Sequence, residues 1–364
     1  EKIMVKGDNC EDEPLDFSKA WTDSSNNVDL QRRLVEAAES QDDTLEIKYE
    51  TEFAATWWRR DTLMARRLVT IYWRSPAYNL SRLALSLVIA LLLGSVFIPI
   101  RKHTIFSEAE ITSMLSTIFI AFIIVGVLSI TSVLPVMLSI RDMYYRHRAA
   151  GMLNSRSVGR ALATAEKRFI LISSLLFCAV FIPISGIANA PNQSLRDRWR
   201  ESIAFWGFFT FNTAIYSYIG QLFMCCVRGP GTAQILASIF IGINNFFSGL
   251  IVRPQQMTGF WQITYWINPG HFVYEGLVMS VFHSDTRKVT VGIGSQYYYD
   301  PLFNCDDNLV VECEVDVSVY VDAFFGGRFS RDHFITNAVV LGGILLVVRL
   351  STFLALTYLT YSGK

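Results

Sequence analysis

The sequence predicts an all-α membrane protein with six transmembrane helices. An amphipathic interfacial helix precedes them, and a re-entrant hairpin and a large external loop come before the last one. Three observations carry this. Hydrophobic residues make up 51% of the 364 and charged residues only 18%, where soluble domains carry about 25% charged. The apolar residues arrive in long unbroken blocks; Met114–Leu138 holds no charge and is long enough to cross a bilayer as a helix. Between that block and the next, residues 139–168 hold seven Lys or Arg against two acids, which reads as a basic loop on the cytosolic side. A formal net charge of zero argues against a nucleic-acid partner, which needs a concentrated basic face.

Residues 1–52 read as a cytosolic acidic linker, since residues 1–50 carry fourteen acids against six bases. One short helix near Leu30–Ser40 or a disordered tail both suit that composition. A chain that opens at Glu1, with no signal peptide before its first span, reads as a segment of a longer polypeptide.

From residue 53 the membrane part begins and runs to 364. Trp57, Met64, Leu68 and Ile71 recur at helical spacing, with Arg59, Arg60, Arg66, Arg67 and Arg74 on the other side. This predicts a helix over 53–74, lying in the interface or packed on a soluble domain, and ended by Pro76. The six spans are expected at 83–100, 114–138, 165–187, 203–224, 232–252 and 334–361. An even number leaves both termini cytosolic. Residues 253–333 carry ten acids against five bases and form the external region. Within it, the aromatic stretch 260–277 is broken by Asn268-Pro269-Gly270, too short to span and suited to a re-entrant or interfacial hairpin.

No phosphate loop, zinc motif or nucleophile elbow occurs in the sequence, so catalysis by these residues alone is not expected, nor a metal site. Ser238, Gly242, Asn245 and Gly249 recur at steps of four, three and four, as do Ala121, Val125, Leu128 and Ser132 at steps of three and four. Such stripes either pack helices or face a cavity. Arg349, inside the last span, should face protein, water or a partner. Glu166 sits beside Lys167 and Arg168 and fits an interfacial charge cluster. Cys305 and Cys313 share the external segment; a mutual disulfide is favoured over free thiols or a bond to a second copy. Asn192-Gln193-Ser194 is an external glycosylation sequon, whereas Asn79-Leu80-Ser81 should be cytosolic and silent. Cys225 and Cys226 fit lipidation or packing.

Several motifs, in order, resemble the transmembrane domain of the G-subfamily of ABC transporters, which includes the pleiotropic drug resistance proteins. These are Tyr72-Trp73-Arg74-Ser75-Pro76, the run Arg141 to Gly151, Phe247 to Val252, and Trp266-Ile267-Asn268-Pro269 through Glu275-Gly276-Leu277. Asp16-Phe17 with Trp21 and Ser24 is similar to the linker after that family's nucleotide-binding domain. The resemblance implies an ATP-driven exporter of lipid-like or drug-like molecules, in which two such domains enclose a cavity lined by the second and fifth spans. It implies that ATP and Mg belong to a nucleotide-binding domain outside this chain, N-terminal on the same polypeptide. The second membrane domain would be an identical copy or a pseudo-repeat. It also implies coupling through Arg141, Tyr145, Arg146, His147 and Arg148, with Glu166 grouped with them. Ile140 and His147 stand where the family often has Glu, and Lys167 where it often has Pro. This implies an altered charge network and, through His147, sensitivity to pH. The plasma membrane is the expected location. A membrane scaffold without an ATPase is the rival from another class, and a channel would want a more continuous polar stripe.

Overall fold

The computed structural model describes residues 17–39, 55–100, 103–187, 194–283, 285–292, 294–298 and 312–361. The chain divides into two compact units, Glu1–Ala54 and Ala55–Lys364. Of the expected sites, Asn192 and Cys305 lie outside the described residues.

In the first unit, α1 (Phe17–Thr22) is followed by α2 (Ser25–Glu39). The helix begins earlier than the expected Leu30. Ser24 Oγ accepts the Asn27 N–H at its start (3.2 Å), and Asp29 pairs with Arg32 and Arg33 one turn on.

The second unit starts with α3 (Trp57–Arg74), which buries Met64, Leu68 and Tyr72 against a later helix and leaves Trp57 and Trp58 exposed. Pro76 opens α4 (Pro76–Asn79), since the residue before a proline leaves the helical region. A π-helical turn over Leu80–Ala84 then leads into α5 (Leu85–Ser95). Such a turn inserts one extra residue into the helix and re-aims its side chains; here it carries Arg82.

Next comes α6 (Glu108–Ala149), 42 residues long, started by a reciprocal cap between Ser107 and Glu110. At about 1.5 Å per residue it is roughly twice as long as the hydrocarbon core is thick, so its ends stand outside the bilayer. The basic segment from Arg141 is therefore a helical extension, not the loop expected from the sequence. Asn154 caps α7 (Ser155–Ser185), which begins ten residues before the expected span and closes on Gly186 with φ 67°.

Five helices pack around α8 (Leu195–Cys226): α6, α7, α9 (Pro230–Phe246), α11 (Pro269–Phe282) and α13 (Phe334–Tyr358). The α7–α8 seam is aromatic, with Phe177 and Phe209 stacked at 4.5 Å. A Cβ on Gly276 would come within 2.2 Å of the Phe208 ring, so only glycine lets α11 approach α8 this closely. Between α9 and α11 lies α10 (Gly259–Ile267), ended where Asn268 caps α11. Every side chain of α11 from Gly270 to Phe282 is buried.

A small sheet accompanies the helices, a detail the all-α expectation did not include. β1 (Ile105–Ser107) pairs in parallel with β2 (Lys288–Gly292), which pairs antiparallel with β3 (Glu312–Asp316). Phe106, Val289 and Val291 bury its inner face. α12 (Val317–Phe325) follows directly. Cys313, on β3, is disulfide-bonded.

Among the described residues, three helices are long and apolar enough to cross a membrane: Glu108–Ala149, Ser155–Ser185 and Arg331–Tyr358. The chain is an integral membrane protein whose membrane part is predominantly helical.

Candidate functional site

The most densely connected polar group sits where the π-helical turn meets α7 and α8. Arg82 and Glu166 are both essentially unexposed, at 2% and 0%, and pair at 2.5 Å. Tyr78 Oη donates to Glu166 Oε1 at 2.8 Å and receives the Arg82 guanidinium. The second Arg82 nitrogen donates to Ser129 O (3.2 Å) and to Ser217 Oγ. Gln221 Nε2 donates to the other carboxylate oxygen at 3.1 Å, while its Oε1 accepts from Arg349 at 2.8 Å. Arg349 also donates to Gly159 O and lies 4.8 Å from the centre of the Tyr218 ring. Tyr72 stacks on Tyr78 at 4.7 Å, which brings α3 into the same network.

Seven elements thus meet on one buried carboxylate and two guanidiniums. A lone charge here would be costly; the pairing keeps each tolerable, and breaking one link strands the others. Glu166 is no part of a surface charge cluster, contrary to its reading from sequence, because α7 turns it inward while Lys167 and Arg168 remain exposed. Arg349 faces protein, as expected. Arg82, Tyr78 and Gln221 escaped the sequence reading. The available signal was an arginine heading an apolar run and a lone amide within another.

The second constellation is the foot of α6. Arg141 is buried, and its guanidinium donates to Met224 O (2.8 Å), Val227 O (2.5 Å) and Arg228 O (2.9 Å). It satisfies the carbonyls that the end of α8 leaves without partners and complements the negative pole there. Arg148 does the same for α13, donating to Leu356 O (3.2 Å) and Thr357 O (3.0 Å). Tyr144 and Tyr145 add bonds to Leu356 O and Leu359 O. Arg146 is exposed, and the Nδ1 of His147 is buried without a hydrogen-bond partner among the described residues. The foot therefore clamps the ends of α8 and α13 and presents Arg146 outward.

The two predicted stripes separate. Ala121, Val125 and Ser132 are buried within the chain and Leu128 is half-buried. On α9, Ser238 and Gly242 are exposed while Asn245 is buried, its Oδ1 accepting from Tyr216 Oη at 3.0 Å. Gly249 does not share their face: α9 ends at Phe246, and Gly249 has φ 106°. Tyr216 Oη also accepts from Asn244 Nδ2 (2.8 Å), whose Oδ1 takes the Gly270 N–H (2.8 Å). Asn268 Nδ2 bonds Asn244 O at 2.8 Å. These amides tie α8, α9 and α11 together where the aromatic stretch breaks.

Behind that break Glu275 accepts from Ser330 N (3.2 Å), Asn337 Nδ2 (2.9 Å) and His333 Nδ1 (3.0 Å), holding α11 to the head of α13. Beyond α11, the Glu314 carboxylate beside Lys288 holds that ammonium above its usual range, and burial with Arg331 nearby lowers His283 below the usual imidazole range.

Residues 62–282 match the family profile described as ABC-2 type transporter. The chain belongs to that family. It is similar to ABC transporter G family member 36 of Arabidopsis thaliana, 27% identical over 248 residues, covering 68% of this chain and 16% of the relative. It is similar also to pleiotropic drug resistance protein 1 of Nicotiana tabacum, 26% identical over 282 residues, covering 76% and 19%. The matched part of this ABC-2 chain thus spans less than a fifth of the length of these relatives. Most of α3, the Arg82, Glu166 and Gln221 members of the buried network and the foot of α6 fall within the matched stretch, whereas Arg349 and the rest of α13 lie beyond it.

Proposed function

We propose that this chain is the translocation domain of an ATP-driven exporter of lipid-like or amphipathic small molecules. The observation that carries the reading is the foot of α6. One basic helix end grips the carbonyl ends of α8 and α13 while exposing Arg146, so a push on that surface moves three helices together. In this reading the push comes from a nucleotide-binding domain outside this chain, N-terminal on the same polypeptide, which holds ATP and Mg.

The chain crosses the plasma membrane six times: through the Leu80–Ser95 segment and its extension to Ile100, then α6, α7, α8, α9 and α13. Both termini are cytosolic, α3 lies in the cytosolic interface, and α10 with the head of α11 forms the re-entrant hairpin on the outer side. Residues 1–52 are the linker, and Cys313 pairs with Cys305 in the external region, where Asn192 is glycosylated. Ser238 and Gly242 stand on a face of α9 that also exposes Ile235, Ile239 and Ile243. That face, with Leu128 of α6, borders the substrate cavity shared with a second membrane domain, a copy or a pseudo-repeat. Substrate biases the inward-open to outward-open switch through unequal affinity for the two states.

The test is substrate-stimulated, vanadate-sensitive ATPase activity of the full-length gene product in lipid. Replacing the exposed Arg146 with Ala should leave the fold and basal turnover intact and reduce the stimulation severalfold. An intact, folded protein without any ATPase activity would point instead to a membrane scaffold, and unchanged stimulation in the variant would remove the coupling assignment alone.

A further inference from the structure

Between α3 and the first turns of α7 lies a cavity of about 690 Å³. Its walls carry Trp57, Trp58, Arg66, Arg160 and Arg168, with Asp61 as the one acid. Asp61 is committed to Arg160, at 2.9 Å, and the Arg160 guanidinium lies 5.3 Å from the centre of the Trp57 ring. That clamp fixes one wall. Arg66 and Arg168 are exposed and make no ion pair among the described residues, so the cavity keeps two uncompensated positive charges. Its depth is set by α7 itself: Arg168 is the last charged residue before the apolar run that opens at Phe169 and continues to Ile187, so it stands at headgroup level. Trp57 and Trp58, 57% and 68% exposed, suit the same level, where amphipathic rings collect.

We propose that this cavity seats the headgroup of an anionic phospholipid. Arg66 and Arg168 take the phosphate through charge-assisted hydrogen bonds, and the two indoles meet the glycerol and upper acyl chains. Charge complementarity selects the lipid class: a zwitterionic headgroup brings no net charge to balance the two guanidiniums, and the cytosolic leaflet is where anionic lipids concentrate. The lipid would fasten α3 to α7 beside the Arg82–Glu166 network that Tyr72 joins. The proposal rests on the reading of α3 as an interfacial helix.

The experiment uses the full-length protein in nanodiscs of phosphatidylcholine, with either that lipid or added phosphatidylserine brominated along the acyl chain. Bromine quenches nearby tryptophans, and subtracting a W57F/W58F variant isolates the two indoles. Brominated phosphatidylserine should quench them at far lower content than brominated phosphatidylcholine. The R66Q/R168Q variant should lose that preference on the order of thirtyfold, about fivefold for each guanidinium removed at a bilayer surface. The R66K/R168K variant, which keeps the charge, should retain most of it, and salt should weaken the wild-type preference, a reading that needs no folded variant. Equal quenching by the two lipids would overturn the seat while leaving α3 in the interface. No quenching by either would overturn the interfacial reading and the seat with it. Relief of quenching by millimolar inorganic phosphate would mean that the cavity takes free phosphate, and would overturn the lipid assignment.

Discussion

Glu166, expected in an interfacial charge cluster, and Arg141, expected to couple the basic cytosolic segment, are both buried, yet they do different work. Among the described residues, Glu166 is the only acid in a network that also holds Arg82 and Arg349, so replacing it with Ala leaves two guanidiniums without their counter-charge. The expected cost is about 3–5 kcal/mol, read as a large fall in the thermal unfolding midpoint of the purified protein. An E166A protein as stable as wild type would mean that water or a neighbouring residue balances the two guanidiniums. Arg141 is a helix cap built from a side chain: Ala at this position leaves three backbone carbonyls unsatisfied, at about 1–3 kcal/mol for each that water does not reach. Arg146, five residues on and exposed, should cost under about 0.5 kcal/mol when replaced. Unfolding midpoints of R141A and R146A, measured side by side, check this split. Equal midpoints would mean that the Arg141 bonds do not hold the end of α8.

Elements set what those residues can reach. The π-helical turn at Leu80–Ala84 aims Arg82 at α7 and α8 rather than along the helix axis. The length of α6 carries one continuous helix from the Ser107–Glu110 cap through the membrane to the foot under α8 and α13. The approach of α11 to α8 depends on Gly276. Even the single methyl of Ala would press into the Phe208 ring, which can yield only by leaving its contact with Phe334. G276A should therefore destabilise by about 1–3 kcal/mol and G276V by more. The assay is detergent-solubilised thermal unfolding; a neutral G276V would mean that α11 sits farther from α8 than it does here.

Across the whole molecule, the faces left uncovered matter most. α9 exposes Ile235, Ile239, Ile243 and Phe246 beside Ser238 and Gly242, and a Cβ on Gly242 would meet nothing within 4 Å. A Gly242→Trp change should thus leave the fold of this chain within about 0.5 kcal/mol of wild type. In the full-length protein it should reduce substrate stimulation of the ATPase severalfold by filling the shared cavity. Unaltered stimulation would move the cavity away from this face of α9.

Much of the architecture was legible in the linear chain because burial in lipid leaves a one-dimensional trace. An uncharged run such as Met114–Leu138 has to be a helix, since a bilayer offers no other partner for its backbone. The arginines of α3, the Ser75–Pro76 break and the basic tract after Leu138 are equally local signals, and so were the motifs that pointed to the family. That Arg349 would turn away from lipid was legible too, from cost alone; whether it meets protein, water or a partner was not. Hidden from the sequence was which polar residues meet. Arg82 and Glu166 are 84 positions apart, and Glu275 reaches His333 and Asn337 at and just beyond the far end of the 253–333 segment. A single sequence records that a charge exists, not whether tertiary packing turns it toward water or toward a partner. The same holds for the stripes: periodicity put Gly242 and Gly249 on one face, but the helix ends at Phe246, where Asn268 Nδ2 donates to the Asn244 carbonyl and Asn244 Oδ1 accepts the Gly270 N–H. Hydropathy and charge along the chain determined that this protein lives in a membrane and how its apolar helices are ordered. The contacts among those helices decided which charges are clamps, which are surface and which apolar face stays uncovered, because those choices depend on neighbours far away in sequence.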